Sequence, residues 1–216
     1  MGQLTATEIR AADLPDWRYL ACELHARFRT GDFVTGAELV ADITVVAQAA
    51  NHHPDLSLSY PYLDVRLMSH DVGAVTERDL DLAAQISQIA AAKGIAADPR
   101  VLAELDVALD ASAHGTVGEF WAVVLAGSRD ALVDDMITDP HGRLPRLWLQ
   151  ATEPHPEPRQ RFHYDLWVAE DTLDERIAAA LTAGGVIVDD QHAPDFVVLA
   201  DPEGNKVCLC TQAGRG

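Results

Sequence analysis

Basic residues are scarce in this chain: 16 Lys and Arg stand against 34 Asp and Glu, a formal net charge of -18 over 216 residues. A surface of that sign repels phosphate backbones and anionic lipid heads, so no nucleic acid and no membrane is expected as a partner. An uncharged substrate needs no basic funnel. Cysteine is also sparse: Cys22, Cys208 and Cys210 form an odd set without disulfide spacing, which suits a reducing cytoplasm. No basic-then-apolar leader opens the chain, because Glu8, Arg10, Asp13 and Asp16 interrupt it, and no apolar run of membrane length is read later. These absences predict a cytoplasmic protein. What remains is an ordinary globular composition, 48% hydrophobic, at a length that allows one large or two modest domains.

What is present is histidine, and it is concentrated. Three of the nine histidines fall within Asn51-His52-His53-Pro54-Asp55 and Ser69-His70-Asp71. Histidine titrates near neutral pH, so a cluster of three can both donate and accept protons within one turnover. A residue before proline is pushed out of the helical region, so His53 is expected to be extended, with a helix ending at Asn51 or His52. Leu63, Val65 and Leu67 alternate with Asp64, Arg66 and Met68, which predicts a strand running towards His70. A lone histidine at a helix end is more often a cap or a surface residue. Asp71 has two readings, a carboxylate holding an imidazole tautomer or a solvated turn residue.

Around this stretch the elements read in order. Thr5 to Ala12 is a short helix, Arg18 to Thr30 one or two strands, and Leu39, Val40, Ile43, Val46 and Ala47 mark an amphipathic helix from about Phe33 to Asn51. Leu56, Leu58 and Tyr60 alternate with serines, and Pro61 marks a turn. Thr76-Glu77-Arg78-Asp79 is a capping box that opens a helix with Leu82, Ile86, Ile89 and Ala90 inward and Gly94 past its end. The cap alone is a sufficient reason for Asp79. Trp17 and Tyr60 read as core or edge aromatics. Residues 95–100 read as a linker, since Gly94, Asp98-Pro99 and a lapse in apolar period coincide.

A weak internal repeat follows. Leu105-Asp106-Val107-Ala108-Leu109 is echoed by Tyr164-Asp165-Leu166-Trp167-Val168, and Asp139-Pro140-His141-Gly142 by Asp201-Pro202-Glu203-Gly204. Phe120, Trp121, Val124 and Leu125 mark one helix, and Thr172 to Glu175 caps another. Cys208 and Cys210 share a strand face and read as buried apolar residues.

The first segment resembles the pterin-4a-carbinolamine dehydratase (4a-hydroxytetrahydrobiopterin dehydratase) family, through His52-His53-Pro54-Asp55, Ser69-His70-Asp71, Val75-Thr76-Glu77-Arg78-Asp79 and Leu82-Ala83. The resemblance runs from about Trp17 to Gly94. It departs at Gln48, where an acidic residue is frequent, at Leu56, where an aromatic is, and at Ala74-Val75. The second segment, from about Ala103 to Cys210, is similar to the glyoxalase and bleomycin-resistance group, the vicinal oxygen chelate fold. Phe120-Trp121, Pro145 to Gln150, Arg161 to Leu166 and Leu199 to Asn205 carry that likeness.

These resemblances imply an α+β protein of two domains. Residues 1–96 would form an antiparallel sheet with helices on one face, and residues 103–212 a paired βαβββ module. The activity implied is dehydration of a 4a-hydroxytetrahydropterin to the quinonoid dihydropterin, with His52, His53 and His70 as the catalytic acid/base set. Pro54, Asp55, Ser69, Asp71 and Arg78 would bind the pterin substrate, and no metal or organic cofactor is implied. Homo-oligomer formation is compatible with this reading. Two other classes stay open: a non-catalytic pterin-binding or protein-interaction module, and a small-molecule lyase or dioxygenase in the second domain. For the latter, Glu104 and His163 occupy corresponding places, but Cys208 stands where a glutamate is expected, so the metal set is incomplete.

Overall fold

The structure is a computed structural model that describes residues 2–102, 106–154, 164–168 and 173–210. The chain divides into two compact units, Met1–Glu104 and Leu105–Gly216. Glu104, His163, His155 and the Thr172 cap lie outside the described residues.

In the first unit, α1 (Ala6–Ala11) precedes β1 (Arg18–Leu20) and β2 (Glu23–Arg29), followed by α2 (Phe33–Ala50), β3 (Asp55–Ser59), β4 (Tyr62–Leu67) and α3 (Glu77–Ala92). The antiparallel sheet runs β1-β2-β4-β3, with β5 (Ala96–Ala97) added beside β2. Register explains the core. Leu24, Ala26 and Phe28 of β2 pair with Leu67, Val65 and Leu63 of β4, and all six are buried on one face. Leu39, Ile43 and Ala47 of α2 and Leu82, Ala83, Ile86 and Ala90 of α3 complete that core. Full burial of each large apolar side chain is worth about 1.5–3 kcal/mol. The opposite face is polar: Arg27 makes a bidentate pair with Asp64 at 2.6 and 2.7 Å and lies over the Tyr62 ring.

Three expectations need correction here. Residues 95–100 are no free linker: Ile95 is buried, Ala96 and Ala97 pair with Arg29 and Phe28, and Asp98 N–H donates to the Arg27 carbonyl at 2.7 Å. Tyr60 is exposed, whereas Trp17 is a core residue. An apolar segment does reach membrane length, since α2 has 18 residues with a mean hydropathy of 1.4. Its Leu39–Ile43–Ala47 stripe nevertheless lies in the core of the unit. Gly36 lets this helix approach β3, because a Cβ there would lie 2.4 Å from Leu58 Cδ1.

The second unit is a duplication. β6 (Asp106–Ala111), α4 (His114–Ala126), β7 (Leu132–Val133), β8 (Met136–Ile137) and β9 (Arg146–Ala151) form one half. β10 (Tyr164–Trp167), α5 (Leu173–Thr182), β11 (Val186–Asp189), β12 (Phe196–Ala200) and β13 (Lys206–Cys210) form the other. The sheets have matching orders, β6-β9-β8-β7 and β10-β13-β12-β11, and in each the last strand returns parallel to the first. Phe120 and Trp121 of α4 pack edge to face in its core. Cys210 is buried and Cys208 half-buried, as expected of apolar strand residues.

Candidate active site

Local sequence delivers each histidine. α2 stops because Asn51 takes the left-handed conformation at φ 48°, which asparagine tolerates, and the His52 amide returns to the Ala47 carbonyl at 3.1 Å. His52 is thereby turned inward and buried, while His53, next in the chain and before Pro54, stays exposed. His70 lies three residues beyond β4, in a turn rather than at the strand end itself. That turn is closed by Ser69 N–H to the Ala74 carbonyl at 3.1 Å and by Val72 and Gly73 N–H to the Ser69 carbonyl at 2.9 and 2.8 Å. Gly73 sits at φ 69°, a conformation that glycine adopts without strain.

The centre of the site is Asp79, whose side chain is fully buried. As the third residue of α3 it completes the capping box, accepting from Thr76 N–H at 2.7 Å and Thr76 Oγ1 at 3.1 Å. The same oxygen accepts from Ser69 Oγ at 2.7 Å, and Ser69 and Thr76 hydroxyls lie 2.8 Å apart. Its second oxygen, Oδ1, stands 2.6 Å from His52 Nε2. An ionised carboxylate only accepts, so beside an ionised Asp79 the shared proton belongs to Nε2, which leaves Nδ1 as the ring nitrogen open to other partners. Asp79 therefore joins His52, the residue before His53, to Ser69, the residue before His70.

The remaining predicted residues fall around this network. Asp71 does not orient an imidazole; it pairs with Arg78, whose Nη2 donates to Oδ1 at 2.5 Å. That bond holds the Asp71 carboxyl below its ordinary value against the opposing effect of desolvation, with the charge of Arg78 assisting. Asp55 opens β3 and sits 3.6 Å from Arg66. Pro54 is half-buried and Ser69 fully buried. Gln48 approaches His53, with Oε1 3.4 Å from Nε2. The orienting carboxylate is the feature that sequence reasoning credited to structure alone, and Asp79 serves both purposes.

Comparison with known proteins places this architecture. Residues 2–89 match the family profile described as pterin 4 alpha carbinolamine dehydratase. A protein of Acidobacterium capsulatum is 40% identical over 91 residues, covering 41% of this chain and 99% of its own length. One of Picosynechococcus is 36% identical over 89 residues, covering 40% and 97%. Both carry the name pterin-4-alpha-carbinolamine dehydratase provisionally. The chain belongs to the pterin-4a-carbinolamine dehydratase family. The family portion ends at residue 89, and residues 106–210 match a profile described as a glyoxalase-like domain. Among solved structures, a transcriptional coactivator/pterin dehydratase from Brucella melitensis is 29% identical, covering 41% of this chain and 99% of that one, with a TM-score of 0.40. A glyoxalase/bleomycin resistance protein from Albidiferax ferrireducens is 17% identical, covering 49% and 95%, with a TM-score of 0.38. Within the segment that matches the dehydratase profile, His52 contacts Asp79 directly.

Proposed function

We propose that the first unit is a 4a-hydroxytetrahydrobiopterin dehydratase. It eliminates water from a 4a-hydroxytetrahydropterin to give the quinonoid dihydropterin by histidine acid/base catalysis. The reaction needs an acid for the departing 4a-hydroxyl and a base for a proton on the ring nitrogen. His52, His53 and His70 supply these groups, with His53 as the leading candidate. Pro54, Asp55, Ser69, Asp71 and Arg78 form the substrate-binding frame. The observation that carries this reading is the buried 2.6 Å contact between His52 Nε2 and Asp79, because it gives one ring a fixed tautomer, while the other two histidines are exposed and open to substrate.

The functional domains are taken as residues 1–96 and 103–212, in a cytoplasmic protein. A cysteine set without disulfide spacing supports that setting. A second reading, a pterin-binding module without turnover, draws on Gln48, which offers His53 an amide where an acidic residue is frequent in the family.

The test is the breakdown of a 4a-hydroxytetrahydropterin followed by ultraviolet absorbance, with the unaltered protein and with His53→Ala. Acceleration that drops about 100-fold or more in the variant supports the dehydratase. No acceleration by the folded, unaltered protein sinks it and favours the binding module.

A further inference from the structure

Arg78 is an anomaly in its helix. It occupies the first turn of α3, where the unpaired N–H groups and the macrodipole favour anions, and both its neighbours Glu77 and Asp79 are acidic. A cation there works against the helix. Its Nε is buried and has no hydrogen-bond partner among the described residues, a second cost of placing a guanidinium in this position. In return it makes one charged contact, Nη2 to Asp71 Oδ1 at 2.5 Å, with Arg78 33% and Asp71 66% exposed. Neither the cap nor the core requires that pair: the capping box is closed by Thr76 and Asp79, and Leu82 and Ile86 carry the buried face of α3.

What the pair does is fix a turn. Asp71 follows His70 inside the loop closed by Ser69 and Ala74, so the Arg78 contact ties the tip of that loop to the start of α3. One residue further along, Asp79 holds His52 from the same helix start. Two consecutive residues thus reach two different histidine-bearing segments. We propose that Arg78 is a positioning residue: acting through Asp71, it holds His70 in register with the His52–Asp79 pair. Its bearing on turnover rests on the dehydratase reading above, whereas its bearing on His70 does not.

Arg78→Met keeps the length of the side chain and removes its charge; Arg78→Lys keeps a charge able to reach Asp71; Asp71→Asn removes the other partner. Histidine ring signals of the full chain, assigned with His70→Ala, report the position of His70 directly by NMR. The expected result is that Arg78→Met and Asp71→Asn both move the His70 signals towards those of an unstructured peptide, leave the His52 signals in place, and lower the melting temperature only slightly, as loss of an exposed ion pair should. Arg78→Lys restores the signals in part. In the dehydration assay Arg78→Met should lower kcat by about tenfold to 100-fold, by a larger factor than it raises KM, because a misplaced acid/base group slows chemistry more than binding. Unmoved His70 signals in Arg78→Met overturn the proposal even if the unaltered protein is a dehydratase. A melting temperature that falls in step with kcat overturns it as well, since Arg78 would then be a stability residue. If the unaltered protein proves inactive while the His70 signals still move, the dehydratase reading fails and the positioning role of Arg78 stands.

Discussion

Asp79 in the first unit and Asp201 in the second are both buried carboxylates that collect four hydrogen bonds, yet they are put to different use. Asp201 accepts from the amides of Glu203 and Asn205 at 2.9 Å each, from Asn205 Nδ2 at 2.8 Å and from Trp121 Nε1 at 3.0 Å. Asp79 accepts from Thr76 twice, from Ser69 and from His52. Both begin as local devices: one shapes a turn, the other a helix cap. They part at the last donor. An indole N–H cannot titrate in water, so Asp201 is a fixed brace between α4 and the β12–β13 turn. An imidazole can, so under the dehydratase proposal the same arrangement around Asp79 would supply the means of moving a proton. A buried carboxylate says little about function until its last partner is identified.

The strongest way to break this comparison is Asp79→Asn. The amide keeps the cap acceptor but turns an NH2 towards His52, which forces Nε2 to accept and puts the ring in the other tautomer. Turnover should fall about 100-fold or more, with the tautomer change read from the His52 ring nitrogens. Retention of activity within a few-fold would remove the orienting role. Asp201→Asn is the control in the other unit. There the new NH2 meets the Asn205 and Trp121 donors, so at least one buried group goes unpaired at a cost of about 1–3 kcal/mol. Denaturant unfolding should show that loss while pterin dehydration stays unchanged; a parallel loss of turnover would contradict the separation of roles.

A finer test concerns Asp71. Its folded pKa is lowered by the Arg78 bond, so the stability it contributes is complete above the unfolded value of about 3.9 and is lost as pH falls through the lowered folded value. The Asp71 carboxyl carbon should titrate below the ordinary range, and return towards it in Arg78→Met or at high salt, as expected of a surface pair. A midpoint unaffected by that substitution would dissociate Arg78 from the His70 turn.

Much of the first unit was legible because its signals are local. The Thr76–Asp79 box, the stop at Asn51 and the Leu63–Val65–Leu67 alternation each lie within a few residues, and periodicity found α2 and α3. The His52–Asp79 contact was not legible, because it spans 27 positions and depends on how α2 and α3 pack. A capping signal explains one carboxylate oxygen and is silent about the other. Ala96-Ala97 escaped for a related reason: two alanines carry no pattern, and only the free edge of β2 makes them a strand. In the second unit the echoed Asp-Pro-x-Gly turns disclosed the duplication, whereas the bond from Trp121 to Asp201 joins positions 80 residues apart.

The start of α4 has an alanine, Ala113, where a capping side chain is usual, and no side-chain cap of its own. Glu203 instead holds the residues that lead into the helix, taking bonds from the amides of Ser112 and Ala113 at 2.8 Å each, and from the Ser112 hydroxyl, across 91 and 90 positions. On the ribosome, then, the first half of this domain emerges with its helix start bare and waits several seconds, at roughly 5–20 residues per second, for the second half to be made. The two halves look like copies, but they share bonds across the duplication. A truncation that spares every residue of the first half still removes the carboxylate that holds the entry to its helix.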